Sequence, residues 1–368
     1  MKKLLSLLLI WAFALTAPCA LADTVAERTD APKRVTLLEA RGGAQLVFDA
    51  PVQAPYGCRI PILEARSRKV SVEELQRALD YLLGEGNYVA NINIYDATLE
   101  EAFGDYREKG NYSYAGFRRR DDEDWSLSPN GNGWIYDGPR GYGAPMYYNW
   151  SANRWRWEGK GLTCQKSEAE ARALADEIVM QLAPEMSLAA RIVFRPEIGQ
   201  DLRLNDPIQY ADELAYVFVY ARPILSVPML YEASGGMATN LENMEITVSG
   251  HGVEAVKYCN AMSLGDELED DAALLPFEHV LERAKAEMAQ RYANRRVEVE
   301  RIAFGYAAVP TAMHDQNGFE MELQLVPAWA FYGNAYKPDE AYAMDWRPLV
   351  TVHAVSGMAL NFSPYELR

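Results

Sequence analysis

The alternation of apolar and polar residues is cleanest at Phe319, Met321, Leu323 and Leu325, which interleave with Glu320, Glu322 and Gln324. A period of two puts the apolar set on one face and predicts a half-buried strand, running on to Leu325–Phe331. Val297–Val309 predicts a second strand. Its apolar parity switches near Arg301, which predicts a β-bulge there. Between 276 and 292 the period changes to that of a helix. Phe277, Val280, Leu281, Ala284 and Met288 form one face, and Glu282, Arg283, Lys285, Glu287 and Arg291 the other. Pro276 at the first turn suits a helix start. Upstream, Ile246–Val248 and Val253–Tyr258 flank Gly250-His251-Gly252 as a hairpin, and Asp266–Asp271 reads as an acidic loop. The stretch from Asn243 to Phe331 therefore reads as one helix laid across an antiparallel sheet.

The rest of the chain carries weaker signals of the same kinds. Val35–Leu38 and Ala44–Phe48 predict short strands around Gly42-Gly43, and three prolines keep Val52–Ile62 extended. Ser71 with Glu74, and Ser167 with Glu170, are capping boxes: the serine takes the N3 amide and the glutamate bonds back. The helices they open carry Val72, Leu75, Leu79 and Leu82, and Ala171, Leu174, Ile178 and Leu182. Gly84 and Gly86 end the first and Pro184 the second. Val89–Tyr95 and Ile192–Phe194 predict strands. Leu214–Leu230 predicts two pieces broken at Pro223 and Pro228, and Pro348–Phe362 a closing hairpin turning at Ser356-Gly357. Asp23–Arg34, polar and charged, predicts a flexible leader. Together these elements predict an α+β protein of two domains, 23–188 and 189–368, each an antiparallel sheet with one or two packed helices.

The first residues change the compartment. Met-Lys-Lys, an apolar run from Leu4 to Leu15 and Ala20-Leu21-Ala22 have the form of a secretory signal, residues 1–22, with cleavage expected after Ala22. Cys19 offers a lipidation alternative that Pro18 and Thr16 disfavour. No later apolar run is long enough to span a bilayer. The expected location is extracellular or cell-surface. Net charge is −16, and two units more negative once Lys2 and Lys3 are removed. Such a chain repels phosphate backbones, so nucleic acid is a poor partner. Cys58, Cys164 and Cys259 allow one disulfide, of which Cys58–Cys164 is the favoured pairing, or three buried thiols.

Several segments together resemble a family of uncharacterised exported proteins, often lipoproteins, of Gram-positive bacteria. They are Asp49-Ala50-Pro51-Val52-Gln53-Ala54-Pro55, the first capped helix, Leu162-Thr163-Cys164, Leu274-Leu275-Pro276-Phe277-Glu278, Ile302-Ala303-Phe304-Gly305-Tyr306, Leu325–Gly333 and Val352–Gly357. The C-terminal half also looks like PepSY-type modules and the envelope regulators that bind the outer part of a cell-wall-sensing histidine kinase. The resemblance implies a non-enzymatic binding or regulatory role in the envelope.

No motif of established chemistry stands out. His251, His279, His314 and His353 lack the spacing of a zinc helix. His279 is expected to face solvent and His353 to be a hydrogen-bonded sheet residue. Ser234-Gly235-Gly236 and Ser249-Gly250 are not nucleophile elbows, and the chain is read as not an enzyme, with no cofactor and no metal. Asp121–Asp124 and Asp266–Asp271 read as solvated loops rather than calcium sites. The aromatic segment 104–160 is the candidate surface. Trp134, Tyr136, Trp150, Trp155 and Trp157 could present flat faces to a sugar or peptide; for any single one packing is the favoured reading, and the density of aromatics in turn-rich sequence favours at least one exposed patch. The expected partner is an envelope protein. The alternatives are a cell-wall or carbohydrate polymer held by these aromatics, or a hydrolase whose carboxylate pair the sequence does not reveal.

Overall fold

The structure, a computed structural model, describes residues 24–56, 59–92, 95–109, 115–129, 132–138, 161–198, 209–230, 242–314, 321–336 and 348–360. In chain order the described elements are α1 (Val25–Thr29), β1 (Arg34–Arg41), β2 (Ala44–Gln53), β3 (Ile62–Ser67), α2 (Val72–Leu79), β4 (Tyr88–Ile92), β5 (Tyr95–Ala97) and α3 (Leu99–Lys109). Then come β6 (Ala115–Arg119), β7 (Ser126–Pro129), β8 (Trp134–Asp137), α4 (Glu168–Leu182), β9 (Ser187–Phe194), β10 (Glu197–Ile198), β11 (Gln209–Tyr210) and β12 (Ala215–Ala221). The last are β13 (Asn243–Ser249), β14 (Gly252–Cys259), β15 (Met262–Glu269), α5 (Phe277–Arg291), β16 (Arg296–Met313), β17 (Met321–Tyr336) and β18 (Pro348–His353). The fold is α+β, dominated by two large sheets.

Among the described residues, the first sheet has seven strands in the order β1-β2-β16-β17-β3-β15, with β18 also on β17. Its pairs are antiparallel except β2 with β16. The second has nine strands in the order β5-β4-β6-β7-β8-β14-β13-β12-β9, and β10 with β11 form a separate pair. Helix α5 lies across β1, β2 and β18, while α4 packs on β12, β13 and β14. Helix α5 buries its apolar stripe as read apart from part-buried Leu281, whereas α4 buries Ala171 and Ile178 of its stripe together with Ala175 and Val179 and leaves Leu174 and Leu182 part-buried. Phe277, Val280, Ala284 and Met288 enter the first core, and Ala171, Ala175, Ile178 and Val179 the second.

The linear division at 188/189 does not follow the sheets. The first sheet is built from both ends of the chain, and the second is inserted between β3 and β15. The strands of residues 23–188 are split between the two sheets, and β9, which crosses the boundary, with β12, β13 and β14 beyond it, completes the second. Period and capping are local signals; which strands pair is not. The chain leaves the first sheet at Arg68 and re-enters it after Ala261, and the Arg68 amide donates to the Ala261 carbonyl at 2.8 Å.

Local chemistry explains most element ends. Ser71 and Ser167 accept from the amides of Glu74 and Glu170 at 3.1 and 3.3 Å, as the capping boxes require. Helix α2 ends in a π-turn, Asp80–Gly84, where Asp80 accepts from Gln76 and from the Tyr88 hydroxyl at 2.9 Å each. Gly42 and Gly43, both at positive φ, make the two-residue turn of the β1–β2 hairpin. The switch near Arg301 is a bulge: the β16–β17 register shifts between Val299 and Arg301.

Three readings are corrected. The expected flexible leader contains α1, capped by Thr24, with Val25 fully buried in the first core. One apolar side chain and the Arg28–Asp271 ion pair at 2.9 Å hold this single turn. Val89–Tyr95 is not one strand, since Ile92 pairs with Tyr95 across a reversal. The acidic loop after the β13–β14 hairpin is largely strand β15, exposed from Ser263 to Glu269. With neither face buried, it has no apolar alternation to read.

Candidate functional site

Trp134 and Tyr136 share one face of β8, as their spacing predicts, but that face is inward. They are 2 % and 3 % exposed and pack against Tyr258 and Trp125, with ring centroids 5.9 and 5.8 Å apart. Both are core residues, and neither offers a ring to a ligand. Trp150, Trp155 and Trp157 lie outside the described residues. The parity signal finds such a pair but does not say which side of the sheet is covered.

The charged loop Arg118–Asp124 pairs within itself, Arg118 with Glu123 at 3.2 Å and Arg119 with Asp121 at 2.8 Å. His279 is exposed on α5. His353 Nδ1 accepts from the amides of Val355 and Ser356 at 3.1 and 3.3 Å, and burial lowers its pKa. It is a turn-fastening residue. His251 Nε2 lies 3.3 Å from Glu213, and the Ser249 hydroxyl donates to buried Glu254 rather than to an imidazole. Cys164 and Cys259 are free thiols, and Cys58, the other half of the favoured pairing, lies outside the described residues. Burial raises both, Cys259 to about 12, and neither is a ready thiolate at neutral pH.

A buried ionic cluster lies close to the crossing between the sheets. Glu242 is completely inaccessible, and Arg222 Nε stands 2.7 Å from its Oε2. The approach is a charge contact, since neither atom has an aligned hydrogen-bond partner. The Tyr258 hydroxyl donates to Oε1 at 2.6 Å. Burial raises the carboxyl's pKa, and Tyr258 and Arg222 act against that shift. The cluster joins β12, β13 and β14 to the start of β15 and has the character of a structural tie.

A cleft lies on the first sheet beside β16. It holds about 260 Å³ and is lined by Gln53-Ala54-Pro55 after β2, Ala189 of β9, Pro228-Met229-Leu230, Arg301, Ala303 and Phe304 of β16, and Tyr332. Its floor depends on small residues. The Pro228–Leu230 segment runs along β16, with Tyr306 N–H donating to the Pro228 carbonyl at 2.9 Å and Leu230 N–H to the Tyr306 carbonyl at 2.8 Å. A Cβ on Gly305 would collide with the Pro228 carbonyl oxygen. This segment reaches the sheet through a tight reversal in which Ile224 and Val227 exchange backbone hydrogen bonds at 2.8 Å. Leu225 and Ser226 at its tip have φ of 46° and 71°. Leucine rarely adopts that conformation, so packing of Ile224, Val227 and Met229 in the first core holds the turn.

The bulge decides what faces the cleft. Val297 and Val299 belong to the α5-side core, and so do Ile302, Phe304 and Tyr306, on the opposite parity. The extra residue lets Arg301 escape that core and lie over the Tyr332 ring, 4.0 Å from its centroid. The guanidinium thus rests on an aromatic face beside an apolar hollow.

The site and fold together describe an α+β protein of two large sheets with a small, mostly apolar cleft on one of them. No family model and no curated protein matches the chain. Among solved structures it is similar to an uncharacterized protein from Eubacterium rectale ATCC 33656, with a TM-score of 0.61 and 11 % identity. The alignment covers 93 % of this chain and 96 % of that one, so the likeness extends over nearly the whole fold.

Proposed function

We propose that this is an exported, non-enzymatic binding or regulatory protein of the bacterial cell envelope, acting on an envelope component through the Arg301 cleft. The observation that carries the reading is the cleft itself. Part-exposed Ala54, Pro55 and Ala303 stand beside one guanidinium, and the fold uses a bulge and a glycine to arrange them. The leader Met1–Ala22 and the resemblance to exported Gram-positive proteins support the compartment.

The test is site-specific photocrosslinking in intact cells. A benzoyl-phenylalanine at exposed Gln53, on the rim of the cleft, is expected to capture a discrete envelope component on a chain beginning at Asp23. The same group at exposed Met180 on α4 is the control. Equal labelling at both positions, or an unprocessed chain retained in the cytoplasm, would remove the proposal.

A further inference from the structure

Arginines around the first sheet are answered by acids. Arg66 lies 2.9 Å from Glu322, Arg68 2.7 Å from Glu74 and Arg296 2.6 Å from Glu298, while Arg59 pairs with Asp270 at 2.6 Å. In a chain of net charge −16 this is the expected state. Arg301 departs from it. Its one described contact is the Tyr332 ring, and no carboxylate among the described residues lies within ion-pair distance. An aromatic face takes none of the five N–H donors in the way an acid does, so their capacity for an anion is retained.

The walls narrow the ligand. Part-exposed Ala54, Pro55 and Ala303 offer dispersion and burial but no second cation. A phosphate, carrying close to two charges, would meet one guanidinium and an acidic protein around it. A carboxylate carries one charge and is planar, and a single guanidinium fork matches it bidentately. The volume, about 260 Å³, lies just below the usual range for drug-sized ligands and suits an apolar group the size of one large side chain.

We infer that the cleft binds a small amphipathic carboxylate, its apolar body against Ala54, Pro55 and Ala303 and its carboxylate on Arg301. The inference rests on the binding-protein reading and names the ligand chemistry of the same site. That chemistry has two sources, a free acid with an apolar body and the apolar C-terminal residue of a polypeptide.

The experiment is ligand-observed NMR with the mature chain and four probes: N-acetyl-phenylalanine, its amide, and a pentapeptide ending in phenylalanine with a free or an amidated C-terminus. The free-acid form of at least one pair is expected to bind about tenfold more tightly than its amide, the worth of one charge-assisted contact. Arg301→Gln should abolish that preference, and Tyr332→Phe, which keeps the ring, should preserve it. Thermal melts establish that both variants are folded. Tighter binding of the free peptide than of N-acetyl-phenylalanine assigns the site to chain termini, and the reverse order assigns it to free acids. Equal binding of acids and amides, no binding of any probe, or an Arg301→Gln protein that still prefers acids would overturn the inference. Crosslinking at Gln53 then separates the two claims: capture there without carboxylate binding rejects only the ligand class, and loss of both rejects the binding role.

Discussion

Arg222 and Glu242 show how much can hang on one side chain. Glu242 is fully buried, and its charge is offset by Arg222 at 2.7 Å and the Tyr258 hydroxyl at 2.6 Å. Removing one partner of a buried pair strands the other charge, which costs about 3–5 kcal/mol. Arg222→Ala is therefore expected to lower urea stability by that order, and Arg222→Ala with Glu242→Gln to recover a good part of it. Two equal losses would show that the pair is not coupled. His353 makes a pH prediction. Its pKa is lowered by burial from 6.5, so on acidification the unfolded chain takes up this proton before the folded one does. The stability that His353 contributes is complete above about pH 6.5 and is lost as pH falls below it. Denaturation midpoints from pH 7.5 to 5 should show this decline, and His353→Gln should flatten it. The sequence carried the roles of single residues unevenly. Arg301's bulge was legible because Val299 and Ile302 break the period of two. The burial of Trp134 and Tyr136 was not, because alternation identifies a face without saying what covers it.

At the scale of elements, local rules succeeded where the decisive contacts are local. The Ser71 and Ser167 boxes, the stripe of α5 and the glycine turn before β2 all lie within a few residues, and all stand in the structure as read. Ser71→Ala or Ser167→Ala should each cost about 1 kcal/mol, measured as a lower urea midpoint with an unchanged slope. Legibility failed for β15 and α1. The first is a strand exposed on both faces, and the second is a single turn held by Val25 and an ion pair with a residue far along the chain. Gly305 lies between these cases. Its smallness matters because Pro228, distant in sequence, runs against it. Gly305→Ala must push that segment away from β16, and overpacking of this kind costs about 1–3 kcal/mol. The same displacement should reshape the cleft, so the variant should also lose the carboxylate preference tested with Arg301→Gln. An unchanged urea midpoint would mean that the segment yields without strain.

At the scale of the molecule, the connectivity makes a prediction that opposes a linear division. The first sheet takes its strands from residues 34–67 and 262–353, and the second sheet lies wholly between them. The ends of the inserted stretch are adjacent, with Arg68 N–H donating to the Ala261 carbonyl. A unit whose ends meet and whose strands are complete resembles an independently folding piece. Its helix α4 and Phe218, Ile246 and Val256 share one apolar cluster, whereas a fragment of residues 23–188 would hold β4 to β8 and α4 without the sheet that α4 covers. Residues 68–261 are therefore expected to give a cooperative urea transition and a dispersed amide NMR spectrum, and residues 23–188 neither. The excised piece would expose Ile224, Val227 and Met229, which in the whole protein enter the other core. Losing burial of a large aliphatic side chain costs about 1.5–3 kcal/mol, so its stability should fall below that of the full chain. Changing the three to serine should restore solubility without restoring stability. If residues 68–261 gave a spectrum as collapsed as that of 23–188, the two sheets would have to fold as one body. The Arg222–Leu230 reversal would then be the first joint between them to examine.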